Sequence, residues 1–108
     1  MLSIKRTGNR LTVCFEGEID HYAAETMRSR IETALKDKDI NSLIMDFSGV
    51  TFMDSSGVGM IIGRYKTMQA RGGKVCAEGL HPPVDRLFHI AGLHRIIDTG
   101  EQKGGNEG

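Results

Sequence analysis

The chain of 108 residues has no tryptophan, only two prolines and two cysteines, and no surplus of either charge. Since 14 acidic residues balance 14 lysines and arginines, we expect no basic surface for nucleic acid or anionic lipid. No apolar run approaches the ~20 residues that a membrane span needs, and the N-terminus lacks a signal peptide's apolar core. The sequence therefore predicts a cytoplasmic protein with neither a membrane nor a nucleic acid as partner.

The two cysteines, Cys14 and Cys76, lie in separate apolar runs. We interpret them as buried thiols in a reducing compartment, although the sequence leaves a bridge between them open. A chain of this length can bury a workable core as a single domain without disulfides or metal.

Strands and helices alternate along most of the chain. In the segment Arg10–Glu16, apolar residues alternate with polar ones, which predicts a strand with one buried face. After an initial hairpin, the order of elements predicts an α/β fold with a mostly parallel sheet. The predicted strands are Leu2–Arg6, Arg10–Glu16, Ser42–Phe47, Lys74–Ala77 and Arg95–Asp98, the helices are Tyr22–Lys36, Gly57–Ala70 and Pro82–Ala91, and residues 99–108 form a flexible tail.

The most informative segment is Asp54-Ser55-Ser56-Gly57, between an apolar strand and an apolar helical pattern. A helix N-terminus offers free N–H groups and partial positive charge. Aspartate and serine are good helix caps, so plain capping is one interpretation, with Ser56 as a capping residue. Two serines behind an aspartate exceed what one cap needs, however, and a spare hydroxyl there suits a bound or covalently attached phosphate.

Three other kinds of site find little support. A hydrolase would need a glycine two positions before its serine, where Met53 and Asp54 stand. The four histidines lack a metal-ligand spacing, and no C-x-x-C pair occurs. The glycines Gly57, Gly59 and Gly63 match neither a dinucleotide fingerprint nor a P-loop, and we interpret them as close helix packing or a flat face for a partner. We therefore predict no enzymatic activity, no metal and no cofactor.

Three segments resemble the anti-sigma factor antagonists, which are STAS-domain proteins. The segment Phe52–Lys66 resembles their phosphorylation segment, Gly17–Met27 resembles a second signature, and Leu87–Ile97 a third. The combination of G-E-I-D-H with G-R-Y-K is most similar to antagonists of the sporulation anti-sigma-F factor. The resemblance implies a STAS-like single domain over residues 1–98, with a small mixed sheet and helices packed on it.

The resemblance also implies a function. The unphosphorylated protein would bind an anti-sigma factor that is also a serine kinase with bound ATP or ADP, and so release the sigma factor. Phosphorylation of Ser55 would switch it off, and a serine phosphatase would restore it. By position, the residues that form or border the docking surface would be Asp20, His21, Asp54, Ser56, Gly57 and Arg64.

Alternatives to this function remain open. They are an antagonist for a general stress sigma factor, a sensory or scaffold STAS domain, and a small phosphotransfer or nucleotide-hydrolysing enzyme. One departure from the family concerns the C-terminus, because members usually continue into a further helix. Three glycines among residues 101–108 oppose such a helix here.

Overall fold

The computed structural model describes residues 1–100 of the chain. A single sheet has the strand order β1-β2-β3-β4, in which β1 is antiparallel to β2 and the other neighbours are parallel. The predicted α/β fold with a small, mostly parallel mixed sheet is confirmed. Its elements are β1 Leu2–Thr7, β2 Arg10–Ile19, α1 His21–Ala34, β3 Ser42–Met53, α2 Ser55–Ala70, β4 Lys74–Glu78, α3 Pro82–Ala91 and a 3-10 turn at Leu93–Arg95.

The core lies on one face of the sheet, because the apolar residues of β2 and β3 alternate along each strand. The alternating set Leu11, Val13 and Phe15 is fully buried, as the pattern predicts. The ring of Phe15 stacks on that of Phe47 at 4.8 Å between centroids, and Phe88 of α3 meets Phe47 edge-on at 5.7 Å. All three helices contribute buried residues to this same cluster, so they form one layer over one face.

Both central strands run further than predicted. Strand β2 continues to Ile19 and β3 continues to Met53, whereas the sequence predicts loops after Glu16 and Phe47. Two register irregularities between these strands break the alternation, so buried residues recur every third position at the end of β3. A β-bulge inserts an unpaired residue and changes which side chains face the core. The strand at this stretch therefore could not be recognised from a simple alternation of apolar and polar residues.

The predicted last strand, Arg95–Asp98, is wrong. The chain instead forms a helical turn in which the N–H of Ile97 donates to the carbonyl of Leu93 at 2.9 Å. This turn buries Leu93 and Ile97, four residues apart, on the core. A single parallel bridge, Cys76↔Asp98, then carries the chain past the edge of β4.

The ends of the predicted elements also shift. Helix α1 stops at Ala34 rather than Lys36, and α2 starts at Ser55 rather than Gly57. At the C-terminus, Thr99 is buried, so the packed part of the chain extends past the predicted start of the tail at residue 99. The rest of that tail, residues 101–108, lies outside the described residues.

Candidate functional site

Helices α1 and α2 begin side by side at the carboxyl end of the parallel strands. Ile19 ends β2 and is paired with Met53, which ends β3. The N–H of Asp54 donates to the carbonyl of Ile19 at 3.2 Å, which ties the two strand ends together. Because each helix follows its strand after one residue, both helix N-termini open at the same place on the surface.

An aspartate caps each of these helices. The Oδ1 atom of Asp20 accepts a hydrogen bond from the N–H of Ala23 at 2.9 Å, and Oδ1 of Asp54 accepts one from the N–H of Ser56 at 2.8 Å. The expectation that Ser56 supplies the cap of α2 is therefore wrong. Since the side chain of Asp54 caps α2, neither serine hydroxyl is needed for capping.

The two serines of α2 have different surroundings. Ser56 is half-buried, and its Oγ lies 3.4 Å from Nδ1 of His21 on α1. Ser55 is exposed as the first residue of α2, and within the described part of the chain its hydroxyl makes no hydrogen bond. The structure therefore brings Asp20, His21, Asp54 and both serines together, and it leaves the Ser55 hydroxyl open to solvent.

The three glycines of α2 differ in how closely other residues pack against them. A Cβ on Gly57 would lie 2.5 Å from Cγ of Met53 and 3.2 Å from Cγ2 of Ile19, so this residue must be small for the helix to sit on the strand ends. A Cβ on Gly59 or Gly63 would meet nothing within 4 Å. The expectation of close packing holds for Gly57 and is wrong for the other two, which leave a bare helix face.

Arg64 lies beneath the site rather than on it. The residue is 6% exposed, between α2 and α1, and its Nη2 atom contacts Oε2 of Glu32 at 2.8 Å. Burial lowers the pKa of Arg64, and the charge of Glu32 opposes that shift. Its Nε and Nη1 atoms have no hydrogen-bond partner among the described residues. In this position Arg64 joins the two helices and offers almost no area to a partner.

A groove of about 240 Å³ separates the first turns of α1 and α2. Its walls carry both charged and small side chains, and Gly59 leaves it open on the α2 side. Arg28, on the α1 side, pairs with Glu25 at 3.0 Å and with Glu32 at 3.1 Å. The lining residues are His21, Ala24, Glu25, Arg28, Ser56, Gly59 and Met60.

Two exposed aromatic residues near the site escaped the sequence analysis. Tyr22, in the first turn of α1, is 85% exposed, and Phe52, near the end of β3, is 48% exposed. A large aromatic side chain exposed to solvent is a feature of interaction surfaces. The exposure of Tyr22 could have been predicted, because this residue does not belong to the apolar stripe of its helix. The position of Phe52 on a strand could not, because the sequence predicts a loop there.

The histidines are spread over several places. His81 precedes α3 without forming a side-chain cap, and the rings of His89 and His94 lie 4.3 Å apart near the end of that helix. Across residues 1–100, no group of three side chains suited to a metal ion occurs. No helix in this part of the chain is long and apolar enough to cross a membrane.

Comparison with known proteins agrees with this geometry. The STAS domain model matches residues 1–104. The anti-sigma F factor antagonist of Paenibacillus polymyxa is 34% identical over 81% of this chain and 74% of its own length. The anti-sigma-B factor antagonist of Bacillus subtilis (strain 168) is 33% identical over 96% of this chain and 94% of its own length.

Solved structures give the same result. The Bacillus cell fate determinant SpoIIAA in its phosphorylated form aligns at a TM-score of 0.76 with 28% identity, over 99% of this chain and 98% of that one. The fold and the paired helix starts thus define a small α/β domain of the STAS type. The chain belongs to the STAS-domain family and, within it, to the anti-sigma factor antagonists.

Proposed function

We propose that the unphosphorylated protein binds an anti-sigma factor that is also a serine kinase with bound ATP or ADP, and thereby releases a sigma factor. The γ-phosphoryl group of ATP moves to Oγ of Ser55, ADP leaves, and a base of the kinase takes the hydroxyl proton. A serine phosphatase restores the active form. The observation that carries this proposal is the exposed, unbonded hydroxyl of Ser55 on the first residue of α2.

The partner docks around the two helix starts. We call this surface the docking face; its residues are Asp20, His21, Tyr22, Phe52, Asp54, Ser55 and Ser56. Gly57 and Arg64, which are buried, act beneath it by holding α2 in place. Exposed aromatic residues beside polar ones are typical of the few positions that supply most of the binding energy of an interface.

A phosphoryl group on Ser55 switches the docking face off. It adds about −1.5 to −2 charge, next to the carboxylate of Asp54. The helix dipole favours that charge by only ~0.3–1 kcal/mol, so the fold changes little. In a complex, a buried charge without a mate costs ~2–5 kcal/mol, which is roughly a 30- to several thousand-fold loss of affinity.

Phosphorylation by the purified kinase tests the acceptor. After incubation with ATP, intact-mass measurement and phosphopeptide mapping should place one phosphate on Ser55. Ser55→Ala should bind the kinase without being modified, Ser55→Asp should bind weakly, and Ser56→Ala should still accept phosphate. Phosphate on Ser56 or Thr51 would overturn the assignment. A protein that no anti-sigma kinase modifies would instead be a sensory or scaffold domain.

The docking face is tested separately from the acceptor. Tyr22→Ala should weaken binding of the ADP-bound kinase about tenfold or more, because a large exposed aromatic contact is lost. The matched control is Ile90→Ala, since Ile90 on α3 is 75% exposed and lies outside the face. Equal affinities for the two variants, measured by calorimetry, would remove Tyr22 from the interface.

The sigma factor released is the sporulation factor sigma-F in our proposal. Support comes from G-E-I-D-H and G-R-Y-K in this sequence and from the anti-sigma F relative. The anti-sigma-B relative favours the general stress factor as the second candidate. A competition pull-down with both anti-sigma kinases discriminates between them, because the cognate kinase should be retained in preference.

The protein acts in this scheme by binding and has no catalytic activity of its own. The docking face carries His21 as its one imidazole, and that ring faces Ser56 rather than the exposed Ser55. Incubation of the purified protein with ATP alone should give neither ADP nor self-phosphorylation. Turnover above the level of the Ser55→Ala variant would contradict this.

A further inference from the structure

Strand β3 extends well beyond its neighbour β4. The two strands pair as far as Asp46↔Glu78, where β4 ends, whereas β3 continues to Met53. On its other side, β3 stays paired with β2 up to Ile19↔Met53. The last part of β3 is therefore an edge of the sheet, on the side where β4 has ended. An uncovered edge offers backbone N–H and C=O groups to another chain.

The loop after β4 covers only the beginning of this edge. The backbone of Gly79 lies against Ser48, since a Cβ on Gly79 would come 2.6 Å from the Ser48 nitrogen, and the N–H of Ser48 donates to Oδ1 of Asp46 at 2.9 Å. Beyond Ser48, no backbone hydrogen bond within residues 1–100 joins residues 49–52 to the loop of residues 79–83. We call residues 49–52 the free edge.

Thr51, within the free edge, has no ladder partner on either side. The register pairs Gly17 with Val50 and Glu18 with Phe52, so Thr51 is the extra residue of a bulge opposite β2. It is exposed, and β4 does not reach it. Because backbone N–H and C=O groups are strong hydrogen-bonding groups, this residue offers both a donor and an acceptor to an incoming backbone.

An open groove of about 710 Å³ runs beside the free edge. Val50 and Thr51 line one side of it, and Leu80, His81 and Pro83 line the other. Among the described residues that line the groove, none is an aspartate, glutamate, lysine or arginine. The groove therefore suits an uncharged, extended peptide segment, which would bond to the edge through its backbone and pack an apolar side chain against Leu80 and Pro83.

We propose that the free edge takes up an extended, uncharged segment of the anti-sigma kinase as an added strand beside β3. The inference rests on the proposed function, because the partner is the same protein. Phe52, which is 48% exposed, belongs to both the docking face and the free edge, so a partner that covers it also reaches the groove. The free edge is only about 13 Å long at ~3.3 Å per residue, which suits one short segment.

Amide hydrogen exchange of the protein bound to the ADP-bound kinase tests the added strand. Exchange at Thr51 should slow about tenfold or more, because a bonded N–H exchanges only when the local structure opens. Amides around Tyr22 and Ser55 should slow in the same complex, since they belong to the docking face. The matched control is β1, the other edge strand of the sheet, whose amides should exchange as in the free protein.

Two variants of Thr51 separate its backbone from its side chain. Thr51→Pro removes the N–H at a bulge, where proline is tolerated, and should lower the affinity for the ADP-bound kinase about tenfold. Thr51→Val keeps the N–H and the shape of the side chain, so it should bind as the original chain does. Calorimetry measures both affinities, and circular dichroism confirms that each variant folds.

The groove wall is tested by a second pair. Leu80→Ala removes apolar area from the groove and should lower the affinity about fivefold. Leu2→Ala shortens a leucine that is also half-buried, but on β1, and it should leave the affinity unchanged. A loss no larger for Leu80→Ala than for Leu2→Ala would contradict a segment bound in the groove.

The outcomes distinguish this inference from the proposed function. Slowed exchange around Tyr22 and Ser55 with no change at Thr51 would overturn the added strand and leave the proposed function intact. Equal affinities of Thr51→Pro and Thr51→Val would also overturn it, and the exchange measurement decides alone if the proline variant does not fold. A kinase that does not bind the protein at all would contradict both proposals.

Discussion

Helices α2 and α3 both begin at the carboxyl end of a parallel strand, yet their first turns differ. Helix α2 starts with two serines behind a capping aspartate. Helix α3 starts with Pro82 and Pro83, and His81 before it makes no side-chain cap. Proline has no N–H to offer an anion, so the first two residues of α3 provide no donor, whereas those of α2 both carry an N–H, of which that of Ser56 is bonded to Asp54, and Ser55 has an exposed hydroxyl. The two helices have equivalent positions in the fold, so the residues of the first turn determine which helix start is suited to carry a phosphoryl group.

The two helices are also anchored differently. Helix α3 relies on Val84 and Phe88 in the core and ends at Gly92 in the left-handed conformation. Helix α2 is additionally fixed at its beginning by Gly57 and by the cap from Asp54. The helix that carries the proposed phosphorylation residue is thus held more firmly at its start than its neighbour. Single substitutions can test this difference.

The largest expected effect is at Gly57. Gly57→Val should lower the free energy of unfolding by about 3 kcal/mol, because the new side chain overpacks against Met53 and Ile19. Gly59→Val is the matched control in the same helix, and it should change stability little since its side chain enters open space. Urea unfolding measures both. Equal losses would show that the contact beneath Gly57 does not anchor the helix.

A smaller effect is expected where α2 joins α1. Glu32→Ala should lower the free energy of unfolding by about 2 kcal/mol, since it leaves the buried guanidinium of Arg64 without its charged partner. Glu25→Ala removes a carboxylate that pairs on the surface of the same helix, and it should cost less than about 1 kcal/mol. Adding Arg64→Met to Glu32→Ala should recover stability, because no buried charge is then left unpaired. No recovery in thermal unfolding would contradict this role of Arg64.

The smallest effect compares the two helix starts directly. Asp54→Ala should cost about 1 kcal/mol, the usual loss for a capping side chain. His81→Ala at the equivalent position of α3 should cost almost nothing, since His81 makes no cap. If chemical denaturation gives the same loss for both, the contrast between the two first turns has no energetic basis.

Much of the fold could be predicted because local patterns and long-range packing agree. Leu11, Val13 and Phe15 alternate along an ordinary strand, and their burial follows from it. The end of β3 could not be predicted in this way, since its pairing shifts register with β2 and buries Val50 and Met53 three residues apart. The sequence likewise predicts a strand where the chain forms a helical turn that buries Leu93 and Ile97, because leucine and isoleucine are compatible with both a helical turn and a strand.

The candidate site shows the same division. Ser55, Ser56 and Asp54 could be located from the sequence because a strand end, a polar loop and a helix start follow one another there. The burial of Arg64 could not, since it depends on how α1 lies against α2 and brings Glu32 within reach.

The close packing of Gly57 on the ends of β2 and β3 bears on how selectively Ser55 would be phosphorylated in the proposed function. Because the contact of Gly57 with Met53 and Ile19 leaves α2 little freedom to tilt or slide, the proposed kinase would meet Ser55 in a fixed position and orientation. The next hydroxyl, on Ser56, is turned by about 100° around the helix axis and faces His21. The proposed kinase, once aligned with the first hydroxyl, would have to reorient as a whole to reach the second, so the rigid helix start would itself favour Ser55 over Ser56.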